Sequence, residues 1–367
     1  GSDLVLTLDR DIQFLVETEL QLAITQTGAT GGTIIVMDPR NGDILAMASY
    51  PAFDPNTYFD VTDETVFRNP AISEVYEPGS VMKVVTVAAA LELGVITPEW
   101  TYNDQGFIDI GGIRIENAER RAYGVVDTAQ VLINSLNVGA ATIAQEMGWE
   151  DFYRMLARFG FGQPTRVDLQ GEEAGILKTP YDDDWSESDL GTNSFGQGIS
   201  VTPLQMITAF AAIANDGLMM QPRVVYQIVD GSEVYTTQPT ALTRVVSKRT
   251  ADIVTDMMVR TVNESLENAQ LPGYAIAGKT GTAEISSPLG YERDASIASF
   301  IGFLPADAPQ VVVLVKLDRP SGYWGSVVAA PVFRRIAERL VILMEIPPDD
   351  VRLAIQSQGG AVEEVNR

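Results

Sequence analysis

An α+β fold is predicted by three observations: strand-like runs gather towards the two ends of the chain, the long stretch between them reads as helical, and the connections within each strand group are short enough for hairpins. From Asp9 to Thr27, Ile12, Leu15, Val16, Leu20 and Ala23 recur on one side of an amphipathic helix. Thr33 to Met37 and Asp43 to Ser49 are strand-like, with Asn41-Gly42 between them as a tight-turn pair. The section from Ser80 to about Asn215 is mostly helical with polar loops, and Val224 to Val246, containing Gln227-Ile228-Val229-Asp230-Gly231, reads as a small hairpin excursion. Tyr274 to Ala283, Ser296 to Leu304 and Gln310 to Leu317 are apolar or β-branched runs, the last two separated by the turn chemistry of Pro305-Ala306-Asp307. A final helix near Pro331 to Met344 carries Phe333, Ile336, Ala337 and Leu340 on one stripe. Short connections favour antiparallel pairing, so segments 30–50 and 274–318 are expected to meet in one mainly antiparallel sheet of five strands. Beyond Ile346, residues 347–367, with Pro347-Pro348-Asp349-Asp350 and Gly359-Gly360, are expected to form a flexible tail.

Composition narrows the chemistry. The 367 residues, 46% hydrophobic, can bury a large core as one domain or as two interleaved lobes. With 25 Lys+Arg against 49 Asp+Glu the net charge is −24, which repels a phosphate backbone, so no nucleic-acid partner is expected. Glu172-Glu173 and Asp182-Asp183-Asp184 read as solvated loop charge. No uninterrupted apolar run reaches membrane-spanning length. The absence of His and Cys removes the Ser-His-Asp triad, every cysteine nucleophile and the usual zinc ligand sets, so neither metal nor cofactor is expected.

Ser80-Val81-Met82-Lys83 then stands out as a nucleophile and a base one helical turn apart. Pro78-Gly79 before it and Gly94 after the apolar run Val81–Leu91 punctuate a helix beginning near Ser80. Ser80 would sit among unpaired N–H groups at the positive end of the helix dipole, while hydrocarbon around Lys83 would lower its pKa towards a useful base. Ser-x-x-Lys alone also fits an ordinary helix start. Ser135-Leu136-Asn137 alone fits a cap or turn, and Lys279-Thr280-Gly281-Thr282 alone fits a surface strand with a glycine bulge.

Taken together, Ser-x-x-Lys, Ser-x-Asn and Lys-Thr-Gly follow in that order, 55 residues from Ser80 to Ser135 and 142 from Asn137 to Lys279, and resemble the penicillin-recognising serine acyltransferases. Arg68-Asn69-Pro70-Ala71-Ile72, Tyr76-Glu77-Pro78-Gly79-Ser80, Ser194-Phe195-Gly196-Gln197-Gly198, Thr202-Pro203-Leu204-Gln205 and Ala329-Ala330-Pro331-Val332-Phe333 extend the likeness to the transpeptidase domain of a class B penicillin-binding protein. Glu77-Pro78-Gly79-Ser80 is closer to the division-type branch than to the elongation-type one.

The resemblance implies a transpeptidase domain over residues 1–346 with helices on both sheet faces and a helical lobe, roughly 80–215, inserted between the sheet segments. It implies peptidoglycan D,D-transpeptidation: a Ser80 acyl-enzyme, release of D-Ala from a D-Ala-D-Ala stem peptide, and transfer to an amine acceptor, with β-lactam antibiotics acylating the same serine. Lys83 would be the base and Ser135 a proton relay. Asn137 would hold the substrate carbonyl and contact Lys83. Lys279, Thr280 and Thr282 would hold the terminal carboxylate, Gly281 would let the strand approach the substrate, and the backbone N–H groups of Ser80 and Thr282 would form the oxyanion hole. A membrane anchor and pedestal ahead of this region, a place on the extracytoplasmic face of the bacterial cell membrane, and SEDS-type glycan polymerase and divisome partners also follow from the resemblance. The alternatives are a non-catalytic β-lactam sensor or divisome scaffold, and a D,D-carboxypeptidase or β-lactamase-like hydrolase. Gly171-Glu172-Glu173-Ala174-Gly175 lacks the lactamase Glu-x-x-Leu-Asn, which disfavours fast hydrolysis.

Overall fold

The computed structural model describes residues 1–287, 290–355 and 357. The chain begins with β1 (Asp3–Leu6), α1 (Arg10–Thr27), β2 (Gly31–Met37), β3 (Ile44–Tyr50) and a short α2 (Pro70–Ser73). The lobe follows: α3 (Met82–Glu92), β4 (Thr101–Asp104), β5 (Phe107–Ile110), β6 (Ile113–Glu116), β7 (Gly124–Asp127), α4 (Thr128–Ile133), α5 (Asn137–Met147), α6 (Trp149–Arg158), α7 (Glu187–Asn193) and α8 (Pro203–Ala214). The remainder comprises β8 (Leu218–Met220), β9 (Val225–Asp230), β10 (Glu233–Thr236), β11 (Ala241–Arg244), α9 (Lys248–Ser265), β12 (Ala277–Ser287), β13 (Gly290–Leu304), β14 (Val311–Asp318), α10 (Gly325–Val328) and α11 (Ala330–Leu343).

The central sheet is the expected one. Its order is β12-β13-β14-β2-β3, antiparallel throughout, so the chain's two distant strand groups meet where β14 pairs with β2. β14 reads Val-Val-Val-Leu-Val-Lys-Leu-Asp, with no alternation of apolar and polar residues, because both faces of the strand are covered. Val311, Val313, Val315 and Leu317 pack with α1 and α11, and Val312 and Leu314 join the core shared with α3 and α8. The Asp9 carboxylate caps the first N–H groups of α1, Gly28 in a left-handed conformation closes it, and Ile12, Val16, Leu20 and Ala23 are the buried stripe, as the periodicity predicts.

Several elements depart from the sequence reading. β1 was not foreseen; it pairs with β9, and β10 closes a separate sheet of three strands, which turns the expected hairpin excursion into part of a larger unit. α9 was also missed, although Ala251, Val254, Met258 and Val262 keep helical spacing. The buried Thr250 and Thr261 break its apolar stripe, and they satisfy their hydroxyls on Glu92 and the Met257 carbonyl. Within the lobe, two ribbons, β4 with β7 and β5 with β6, interrupt the helices.

The expected flexible tail needs correction over its first part. Residues 349–355 are helical, and the Arg352 guanidinium holds Asp307 at 2.6 and 2.7 Å and Asp349 at 2.6 Å, docking this turn beside the start of β12. Residue 356 and residues 358–367, including Gly359-Gly360, lie outside the described residues.

Phe333 on α11 is fully buried with its ring 4.5 Å from that of Phe300 on β13. Phe333→Ala should therefore cost about 3–5 kcal/mol of unfolding free energy, measured by chemical denaturation; a loss under about 1 kcal/mol would contradict this packing.

Candidate active site

The site lies where the lobe meets the free edge of the sheet. A tight turn, Gly79–Val81, leads into α3 and places Ser80 at the helix start, half-buried, while nine consecutive residues from Met82 to Ala90 are buried. Lys83 is 0% exposed. Its Nζ is 2.9 Å from Ser80 Oγ, 2.5 Å from the Ser135 carbonyl oxygen and 3.2 Å from Ser135 Oγ. An ammonium has three protons, and these three oxygens match them. When Lys83 is neutral, the bond to Ser80 reverses and the serine hydroxyl donates to Nζ.

Ser135 sits between α4 and α5 with φ of 53°, a left-handed conformation that costs a non-glycine residue energy. That bend presents both its carbonyl and its hydroxyl to Lys83. From the sheet side, Lys279 Nζ donates to the same Oγ at 3.0 Å and to the Thr280 carbonyl at 3.2 Å. Ser135 Oγ thus bridges two amines. Among the described residues, hydroxyl and carbonyl oxygens alone bond these two amines, so no counter-charge repays the rest of their desolvation. Burial, and next the facing Lys279 ammonium, hold Lys83 well below the ordinary lysine range. Burial brings Lys279 down to about 7.

Two of the expected residues differ in detail. Lys279 is 1% exposed and lies behind the cleft wall, with Thr280 and Thr282 forming the surface in front of it. Gly281 does not face the cleft either. A Cβ there would lie 2.4 Å from Ser299 Oγ and 2.8 Å from the Pro78 carbonyl, so the glycine lets the strand pack beneath the helix start. It is not a bulge, since the register with β13 runs unbroken from Ala277 to Glu284.

Thr282 presents its backbone outwards. Its carbonyl oxygen lies 2.9 Å from where a Gly79 Cβ would stand, and in a strand a residue's N–H and C=O share one edge, so the Thr282 N–H also faces the helix start and not β13. The Ser80 N–H lies in the first turn of its helix, where backbone donors lack intrahelical partners. Asn137 opens α5 beside the cleft, but its side-chain N–H donates to the Glu116 carbonyl at 3.0 Å and it is not a partner of Lys83, which corrects that expected contact.

The cleft above Ser80 has a volume of about 530 Å³. Tyr123, Gln197, Tyr323 and Trp324 line it together with the motif residues, and sequence reasoning assigned none of them a place there. Phe195 and Gln197 belong to a quoted segment; Tyr123, Tyr323 and Trp324 gave no local signal. Asp104, fully buried, is a hub behind one wall. It accepts from Tyr102 Oη at 2.6 Å, the Gly106 N–H at 2.7 Å and Asn117 Nδ2 at 3.0 Å, while Asn117 Oδ1 takes the Val138 N–H in the first turn of α5. Glu77 accepts from the Gly198 N–H at 3.1 Å and from Tyr291 Oη at 3.2 Å, and burial raises its pKa.

Residues 32–338 match the family described as the penicillin binding protein transpeptidase domain. The chain is 38% identical over 363 residues to penicillin-binding protein PbpB of Mycobacterium tuberculosis, covering 95% of this chain and 53% of that one. It is 36% identical over 343 residues to stage V sporulation protein D of Bacillus subtilis, covering 92% and 53%. It therefore spans about half the length of these relatives. A crystal structure of penicillin binding protein 3 from Mycobacterium tuberculosis complexed with aztreonam superposes with a TM-score of 0.88 at 37% identity, covering 95% of this chain and 80% of that one.

The Lys279 ammonium disfavours charge on Lys83, so removing it should raise the Lys83 pKa. With Lys83 acting as the base for Ser80, as proposed below, reactivity should rise as pH climbs through that pKa, because a base must be neutral. The pH–rate profile for acylation of Ser80 by a reactive lactam should therefore shift to higher pH in Lys279→Met and not in Lys279→Arg, whose permanent charge holds the midpoint in place or moves it lower; an unmoved midpoint in Lys279→Met would refute the coupling. Because the folded pKa of Lys279 is about 7, below that of an unfolded lysine, the unfolded chain binds more protons between the two values. This lysine's contribution to stability accordingly falls as pH drops through that window.

Proposed function

Because the chain belongs to the penicillin-binding-protein transpeptidase family, we propose that it is a serine D,D-transpeptidase that cross-links peptidoglycan stem peptides and is acylated by β-lactams. The observation that carries this reading is the continuous hydrogen-bonded chain Ser80–Lys83–Ser135–Lys279, which joins a helix-start hydroxyl to two buried amines of lowered pKa.

Neutral Lys83 takes the Ser80 proton as Oγ attacks the carbonyl of the penultimate D-Ala. The N–H groups of Ser80 and Thr282 hold the oxyanion. As the tetrahedral intermediate collapses, the C–N bond breaks, and the proton passes from Lys83 through the Ser135 hydroxyl to the departing amine of D-Ala. An acceptor amine then attacks the acyl ester, giving up a proton through the Ser135 hydroxyl to Lys83; as the new C–N bond forms, the ester C–O bond breaks and Lys83 returns the proton to Ser80 Oγ. The field of Lys279, screened little in its dry site, attracts the donor's terminal carboxylate, and the Thr280 and Thr282 hydroxyls contact it directly. Asn137, at the mouth of the cleft, positions the donor's peptide carbonyl.

The hydrolase alternative gains nothing from the Glu172 region. The Glu172 carboxylate is occupied by the Thr165 N–H and hydroxyl and by the Arg166 N–H, and neither Glu172 nor Glu173 lines the cleft. The resemblance further supports a division-type role, a place on the extracytoplasmic face of the bacterial cell membrane, and SEDS-type polymerase and divisome partners. No described helix is long and apolar enough to cross a membrane.

A fluorescent penicillin should label the wild-type chain covalently, and Ser80→Ala should reduce labelling by about 10³-fold or more. D-Ala release from a stem peptide should rise when an amine acceptor is added; release to water alone would favour a carboxypeptidase, rapid loss of label a lactamase, and an unlabelled wild type would overturn the reading.

A further inference from the structure

The loop before α10 sits directly on the Lys-Thr-Gly-Thr strand. The Gly325 N–H donates to Thr282 Oγ1 at 3.0 Å, and a Cβ at Gly325 would lie 2.4 Å from the Gly281 carbonyl oxygen and 2.5 Å from that of Ser299. Both oxygens belong to the sheet backbone and cannot yield as a flexible side chain would. The loop is pinned around this contact. Ser296 Oγ donates to the Tyr323 carbonyl at 2.6 Å, Asn268 Nδ2 to the Ser326 carbonyl at 3.1 Å, and the Arg319 N–H to the Ser296 carbonyl at 2.9 Å.

We propose that Gly325 is a positioning residue that makes the Thr282 hydroxyl a donor towards the cleft and so sets the preference for carboxylate-bearing acylating ligands; this rests on the transpeptidase reading. A threonine hydroxyl has one proton and two lone pairs. With a lone pair filled by a backbone donor, the proton cannot point back at Gly325 and turns to the cleft that Thr282 lines. A hydroxyl free to rotate would as readily present a lone pair, which repels a carboxylate. Only a residue without a side chain lets the loop backbone come close enough to impose this orientation.

The test compares second-order rates of Ser80 acylation by benzylpenicillin and by its methyl ester, in which the carboxylate is capped. Gly325→Ala should reduce the acid-to-ester rate ratio by about tenfold or more, the scale of one hydrogen bond to a charged group. Thr282→Ser should keep the ratio and Thr282→Val should set its floor. If Gly325→Ala does not fold, Asn268→Ala, which frees the Ser326 carbonyl without crowding the strand, should lower the ratio in the same direction by less. An unchanged ratio, whether both rates fall together or neither moves, overturns the inference and leaves the transpeptidase reading standing. A wild-type chain acylated by neither reagent overturns both.

Discussion

Two ammonium groups buried without a carboxylate partner among the described residues are the constraint on which this site depends. Lys83 and Lys279 approach the same hydroxyl, Ser135 Oγ, from the lobe and from the sheet. Water would solvate either charge far better than the three neutral oxygens around Lys83 or the two around Lys279 do, so the fold gives up stability to keep both amines dry. What it gains is a lysine, Lys83, that loses its proton more readily than an exposed one. Lys316, the third buried lysine, shows the contrast: it is bonded to Asp318 at 2.5 Å and stacks over Tyr76 at 5.2 Å, a compensated ion beneath the segment that leads to Ser80. All three lysines are buried, and of the three only Lys316 has a carboxylate partner among the described residues.

Keeping those amines in register requires two rigid bodies to meet closely. The sheet contributes β12, whose Thr280, Thr282 and Glu284 line the cleft, and the lobe contributes α3 and the bent Ser135. Close backbone approach joins them. The Gly281 position touches Pro78, Thr282 touches Gly79, and Gly79 donates through its N–H to the Gly196 carbonyl at 3.1 Å. Rigid elements on both sides limit the movement that would let water reach Lys83 or separate it from Ser80. The Asp104–Asn117 hub performs the corresponding task for the wall that begins with Asn137.

Much of this was legible in local sequence because the relevant physics is local. Ser80 and Lys83 share a helical face by spacing, the apolar run around Lys83 announces its burial, and the apolar, β-branched runs and turns of the last three strands give the sheet. α9 could have been read from its spacing and was lost to two buried threonines. β1 could not: four exposed residues become a strand only through a partner more than 200 residues away. Tyr123, Tyr323 and Trp324 were silent for the same reason, since an aromatic in a loop carries no mark of the cleft it will line.

The sequence by itself determined the candidate nucleophile and base, the order of the three motifs and the two strand groups, because each is written in short-range spacing and hydrophobicity. Tertiary structure alone decided that Lys279 stands behind Thr280 and not in front of it, that Gly281 serves packing beneath the helix, and that Asn137 bonds Glu116 and not Lys83. Those outcomes depend on which surfaces meet across the junction of sheet and lobe. Contacts between residues far outside one turn or hairpin of each other, 21 positions for Asn137 and Glu116 and more for Gly281 and Pro78, are set by the packing of whole elements, and no local pattern encodes them.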